Sequence, residues 1–260
     1  MLQNPAPWQR LLDRALASMA RQASPGRLVC IDALRGFAIV LMVAYHFCFD
    51  LSHFGLASFD FYQDRFWLNF RTLILSLFLG LVGVSLVLAS QSRLNVRRYL
   101  RRLITLVASA ALVSLATWWM FGERFVFFGV LHFIAVASVL GLLFVRAGWL
   151  NLIAGVGVIL FATRYQSAWF DTPGWRWIGL MTHKPLTEDY VPLLPWMGVV
   201  LLGLFAGPYV MLWSQTHLQG ICGAVPVRCL ALAGRHSLII YLIHQPLLIG
   251  ALSLYVKLVS

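Results

Sequence analysis

Five residues in one apolar stretch could do chemistry together: Asp32, Arg35, His46, Asp50 and His53, all within Ile31–His53 (IDALRGFAIVLMVAYHFCFDLSH). An α-helix turns about 100° per residue, so Arg35 and His46, eleven positions apart, lie only ~20° apart around its axis. On the same count His53 nearly eclipses Arg35, and Asp32 and Asp50 lie about 60° away. The five share one face, which Ile39 and Met42 complete. Phe37, Ala38, Val40, Leu41, Val43 and Ala44 take the others. Such a stripe on an otherwise lipid-compatible helix must face protein or water, and it marks a functional site by default. An imidazole can serve as a general base when a carboxylate orients it and stabilises its protonated form. His46 is placed for that role and Asp50, one turn along, for the support. Arg35, near the start of the stretch and about 16 Å from His46 along the axis, suits a phosphate or carboxylate group. His46, Asp50 and His53 also form a two-histidine, one-carboxylate set suited to iron or zinc. One helix seldom offers three ligands to one ion at good geometry, and no metal is expected.

The elements that must position these residues are helices in a membrane. The chain has 260 residues, 60% hydrophobic and only 11% charged. In soluble domains about a quarter of the residues are charged. The expected fold is all-α: a polytopic bundle of about seven transmembrane helices over 31–260. Before it comes a basic amphipathic segment, 1–30, in which Trp8, Leu11, Leu12, Ala15 and Met19 take one face and Arg10, Arg14 and Arg21 another. Apolar runs near the ~20 residues of a span fall at about 31–53, 67–90, 103–120, 125–146, 148–165, 190–213 and 231–255. Of the 20 Lys and Arg, an N-terminus inside puts twelve on the cytoplasmic side and seven on the other, with Arg35 set apart. The expected orientation is therefore N-in. The net charge of +11 does not point to nucleic acid, because the basic residues cluster beside apolar runs. Cys30, Cys48, Cys222 and Cys229 form no CxxC pair and are expected to be thiols.

Further polar residues fall where apolar runs would not need them. His132 lies in FGVLHFIAV. Glu188 and Asp189 end a long loop, 166–189, that reads as an aromatic belt or as a lid over an acceptor site. In GRHSLIIYLIHQP, Ser237, Tyr241 and His244 share a helical face. Gln245 follows, and Pro246 frees the carbonyl of Leu242, which makes a local polar kink at His244. The basic loop RLNVRRYLRR at 93–102 reads as a topology determinant beside anionic lipid, or as a docking surface for a phosphate-bearing ligand. No Gly-rich phosphate loop and no nucleophile elbow is present in the sequence. Three readings compete with an enzyme: a transporter or channel for a small anion, a metal site, and a non-catalytic subunit whose polar residues bind partner helices.

Asp32-Ala33-Leu34-Arg35-Gly36 followed by His46 resembles the Arg-x10-His pattern of the membrane acyltransferase superfamily, which includes the acyltransferase-3 proteins. The wider match, over RLVCIDALRGFAIVLMVAYHFCFDL, FGVLHFIA, DYVPLLPWMGVVLLG and GRHSLIIYLIHQP, is closer to the family of the heparan-α-glucosaminide N-acetyltransferase catalytic domain. That resemblance implies an integral membrane acyltransferase that moves an acetyl group from cytosolic acetyl-CoA to a sugar-like acceptor. It implies acyl-CoA as co-substrate and no permanently bound cofactor. It makes His46 the catalytic base or the residue transiently acylated, and Arg35 the donor-binding residue, with Asp32 beside it. Asp50 as the partner of His46 follows from spacing alone. His132, Tyr241, His244, Gln245, Glu188 and Asp189 are the candidate acceptor or pocket residues. Membrane lipid is the expected surrounding, in a bacterial inner (plasma) membrane, and assembly into a homo-oligomer is allowed.

Overall fold

A computed structural model describes residues 25–91, 95–187, 189–217 and 224–259. Of the amphipathic segment expected at 1–30, residues 1–24 lie outside the described residues, as does the loop residue Glu188, while 25–30 are instead the first turns of the helix that carries the polar stripe. The described residues form helices α1 (Pro25–His53), α2 (Arg65–Gln91), α3 (Val96–Phe121), α4 (Val130–Phe144), α5 (Leu150–Arg164), α6 (Leu193–His217), α7 (Val225–Arg235) and α8 (Ser237–Val259). Short 3-10 turns at Gly122–Arg124, Ala168–Asp171 and Arg176–Ile178 join some of them.

Five of these helices are long and apolar enough to cross a membrane: Val29–His53, Arg65–Ser90, Val96–Arg124, Leu193–Ser214 and Ser237–Val259. Two of the seven expected spans, Val130–Phe144 and Leu150–Arg164, are short. At 15 residues each they reach about 22 Å, less than the ~30 Å of a hydrocarbon core. The last expected span also divides. Arg235 ends α7, and His236 caps it with a backbone bond to Leu232 before α8 starts at Ser237. The surface is that of a membrane protein turned outward: Leu112, Leu115, Trp119, Leu143, Ile153, Leu160, Leu247 and Leu254 are all exposed.

The centre of the bundle is α6, which packs on α2, α4 and α5. Its contacts rest on small residues, as close helix approach in a membrane requires. Gly203 lies against the carbonyl of Gly80 on α2, Gly83 against that of Val200, and Gly155 and Gly198 face each other's carbonyls between α5 and α6. Phe133, Leu79, Ala137 and Val200 are fully enclosed beside them. α1 packs mainly on α7 and also against α2 and α8. Ile39 and Met42 bury against Ile74 while Phe37, Val40 and Phe47 are exposed, so the polar stripe of α1 faces protein. The α1–α7 crossing is the closest in the molecule: a Cβ on Gly234 would overlap the carbonyl of Asp32, and one on Gly36 would overlap that of Leu230.

The expectation of four thiols is corrected for one residue. Cys30 is disulfide-bonded, while Cys48 and Cys229 are free. Local spacing reveals only pairs close in sequence, which is why the CxxC test could not find this bond.

The α1–α7 crossing yields a stability prediction. Gly234→Val forces two backbones apart and should cost at least the 1–3 kcal/mol of an overpacked core, seen as a lowered melting temperature in detergent. Gly250→Ala, where nothing lies within 4 Å of the added Cβ, should leave the melting temperature unchanged or raise it slightly, as a helix-interior glycine is less favourable than alanine.

Candidate functional site

The polar groups of α1 meet partners at both ends of the stripe. At the end where α1 begins, Asp32 holds two arginines. It accepts from Arg35 Nη1 at 2.8 Å and from Arg235 Nε at 3.2 Å. Arg35 Nη2 donates to Ser85 Oγ on α2 at 3.0 Å. The Gly36–Gly234 contact fixes this geometry, since it brings the α7 end bearing Arg235 against the turn bearing Asp32. Arg102 on α3 lies within the electrostatic reach of Arg35. Three guanidinium groups against one carboxylate, two of them paired with it, leave this end of the bundle positive, with Arg35 and Asp32 only partly exposed.

At the other end of the stripe the His46 ring lies against that of His244 on α8, with centroids 5.0 Å apart. Asp50 is 2% exposed, and its Oδ1 accepts from Gln245 Nε2 at 3.1 Å. The orienting bond from Asp50 to His46 expected from spacing is thus replaced by one across the helix pair. The backward lean of helical side chains lets an i, i+4 pair meet, but here the Gln245 amide takes the Asp50 oxygen instead. His53, the last residue of the stripe, is exposed and edges onto Phe54. Among the described residues no group of three His, Cys, Asp or Glu side chains is placed to hold a metal, so His46, Asp50 and His53 do not form one.

A third group joins this pair from the side. Asp189 Oδ2 accepts from the backbone N–H of Val130, the first residue of α4, at 2.9 Å. It also accepts from the Tyr241 hydroxyl at 3.3 Å. A carboxylate suits the start of a helix, where unpaired N–H groups and the dipole are positive. Gly129 permits it, because a Cβ there would overlap the carboxylate. The strands of chain on either side are laced together: Val191 N–H donates to the Phe128 carbonyl at 3.2 Å and Thr187 Oγ1 to that of Phe125 at 2.7 Å. Tyr241, which Asp189 touches, packs against the cluster of Ile39, Met42 and Ile74 between α1 and α2. The non-helical segments 125–129 and 189–192 therefore reach into the bundle, which is tolerated only where protein encloses them. This explains the shortness of α4, whose expected span began at 125.

His132 is spent on that local structure. Its Nδ1 accepts from the Gly129 N–H at 3.3 Å, and its Nε2 lies 3.1 Å from Ser114 Oγ, which donates to the Val126 carbonyl. Tyr241, His244, Gln245 and Asp189 are brought together with His46 and Asp50, while His132 stands beside them as a brace. In the sequence Arg71 and Arg235 bear on topology alone, and Arg102 belongs to the basic loop 93–102 with its two readings. Arg71 exerts its charge on Asp189 and Lys184, and an arginine inside an apolar run is itself a functional signal. Nothing in the spacing of Ser85 announces its bond to Arg35.

The model of a protein family described as heparan-alpha-glucosaminide N-acetyltransferase, catalytic, matches residues 27–246. No curated protein and no solved structure matches. The family match covers most of the chain, and the chain belongs to that family. Membership implies an acetyltransferase, and the long apolar helices make it an integral, multi-pass membrane protein.

The enclosure of Asp189 carries a pH dependence. Burial raises its carboxyl above the ordinary 3.8, against the opposing effects of the Val130 N–H, Arg71 and the Tyr241 hydroxyl. Between 3.8 and the raised value the folded protein holds a proton that the unfolded chain has lost, so stability from this group falls as pH rises through that window. The melting temperature of Asp189→Asn, relative to the parent protein, should therefore rise with pH across the same interval. A difference independent of pH would contradict the assignment.

Proposed function

We propose that this member of the heparan-α-glucosaminide N-acetyltransferase catalytic family transfers an acetyl group from acetyl-CoA to an amine or hydroxyl of a sugar-like acceptor. The donor enters at the positive end, which faces the cytoplasm in the N-in orientation read from the basic residues. Arg35, held between Asp32 and Ser85, meets the donor's phosphates, with Arg102 and Arg235 adding to the local field. The donor's long arm lies along the polar face of α1 and brings the thioester to the level of His46, about 16 Å deeper. His46 takes the proton of the acceptor group as its nitrogen or oxygen attacks the thioester carbonyl. The new C–N or C–O bond forms, the C–S bond breaks, and the CoA thiolate leaves and recovers a proton. The acceptor reaches the same point from the side of Asp189 and the 189–192 segment.

One observation supports this reading above the others: a single helix face joins the positive end to the contact of half-buried His46 with buried His244, and other helices supply partners at both ends. A helix that served only to bind its neighbours would have no need to leave polar atoms unmatched, yet Asp50 Oδ2, His244 Nε2 and Gln245 Oε1 are buried without a hydrogen-bond partner.

Transfer of labelled acetyl from acetyl-CoA to D-glucosamine by purified protein tests the roles. His46→Ala should abolish transfer and keep the parent's melting temperature within a few degrees. Arg35→Gln should raise KM for acetyl-CoA by roughly 10- to 100-fold, as the loss of a charge-assisted hydrogen bond of ~1.5–3 kcal/mol requires. Turnover retained in His46→Ala would remove that residue from its role.

A further inference from the structure

The arginines of RLNVRRYLRR do not all face the same way. From Val96 on, the basic run expected as a loop forms the first turns of α3, a helix without a single acidic residue. One bond sets how α3 is turned about its axis: the Tyr99 hydroxyl donates to the Ser138 carbonyl on α4 at 3.0 Å. Tyr99, Arg102, Leu103 and Leu106 thereby line a small cleft with Leu86 and Ser138, and Arg102 stands within the electrostatic reach of Arg35. At 100° per residue Arg97 and Arg101 each lie about 160° round from Tyr99, one in either sense, so they take the opposite face. Both are exposed, and with Val96, Leu100, Ile104 and Thr105 they line an open groove along the outside of α3. Further along the same face Leu112, Leu115 and Trp119 continue the exposed apolar line that Ile104 begins.

The charges on this face are not matched within the chain. Arg97 and Arg101 are one turn apart and repel each other. Among the described residues no carboxylate pairs with either. The positive start of the helix adds to their field rather than relieving it. Guanidinium groups take phosphate oxygens through pairs of parallel hydrogen bonds, and an aliphatic stripe beneath them suits hydrocarbon. We propose that the outward face of α3 binds an anionic phospholipid, with its phosphate between Arg97 and Arg101 and its acyl chains along Leu100, Ile104 and Leu112. A free phosphate would engage the arginines and leave the stripe unused. A zwitterionic lipid would cover the stripe but bring a cation of its own to the arginines. A second copy of the chain meeting this face symmetrically would set arginines against arginines, and α3 has no acid to offer them. The basic run thus has two tasks: Arg102 is turned inward toward Arg35, while Arg97 and Arg101 hold lipid. The inference rests on the membrane assignment and on no chemical step.

The test is the melting temperature of the purified full chain in a neutral detergent, titrated separately with dioleoylphosphatidylglycerol, dioleoylphosphatidylcholine and inorganic phosphate. A saturable rise is expected with phosphatidylglycerol, a smaller one or none with phosphatidylcholine, and none with inorganic phosphate. Replacing both arginines, Arg97→Gln with Arg101→Gln, should raise the half-saturating phosphatidylglycerol concentration at least tenfold. Arg101→Gln alone, expected to raise it at least threefold, serves if the double variant does not fold. Ile104→Ser should weaken the response to both lipids. Arg146→Gln, an exposed arginine at the end of α4, should leave the titration unchanged. Equal stabilisation by the two lipids, an equal response to inorganic phosphate, or a matching loss in Arg146→Gln would overturn the site. So would an unchanged phosphatidylglycerol titration in the folded arginine variants. Dimerisation of the parent chain that Ile104→Ser abolishes, with no response to either lipid, would overturn it in favour of a second copy.

Discussion

Hydrogen-bond satisfaction in a medium without water is the constraint on which the rest of this structure depends. Each polar atom in the apolar layer must find a partner in the protein, because lipid offers none. Asp32 meets this with two arginines, Arg35 with Asp32 and Ser85, and Asp189 with a helix N-terminus and a tyrosine. The close glycine crossings follow from the same need. Asp32 and Arg235 can pair only because Gly36 and Gly234 let α1 and α7 approach backbone to backbone. Where the rule is broken, at Asp50, His244 and Gln245, the breaks cluster beside the histidine pair and nowhere else among the described side chains except the amide oxygen of Asn151.

The architecture therefore divides into a rigid half and a working half. α6 with α2, α4 and α5 makes the packed half, in which glycines and fully enclosed aliphatic and aromatic residues carry the contacts. α1, α7 and α8 make the half that bears the polar track. The segments 125–129 and 189–192 connect the two, since Asp189 is anchored to the start of α4 and touches α8 through Tyr241. Tyr241 thus stands between that anchor, through its hydroxyl, and His244, through its carbonyl.

Much of this was legible in the chain. The face of α1 could be read from spacing because an uninterrupted helix keeps its register, and its polar side does face protein. The family was readable from four separated segments, and the matched region contains all of them. Tyr241, His244 and Gln245 were singled out by residue type inside an apolar run. What spacing could not reveal was which helix would face which. The Gln245–Asp50 bond joins positions 195 residues apart and displaces the intrahelical pair that local geometry favoured. The entry of 125–129 into the bundle was hidden because FVFFGVLH is apolar enough to read as part of a span. Only the contact of Gly129 with Asp189 shows why the helix waits until Val130. The division between α7 and α8 was hidden likewise, since GRHSLIIYL continues an apolar pattern across the break.

The central claim, that the track from Arg35 to His46 holds an acyl donor, is tested most directly by the melting temperature of the detergent-purified protein with acetyl-CoA and with free CoA. A ligand bound only to the folded state at about 100 times its Kd adds roughly 2.7 kcal/mol, which a melting curve resolves. The account predicts a saturable rise with acetyl-CoA that weakens when Arg35 is replaced by glutamine. The absence of any saturable rise with acetyl-CoA or with longer acyl-CoA donors would contradict it.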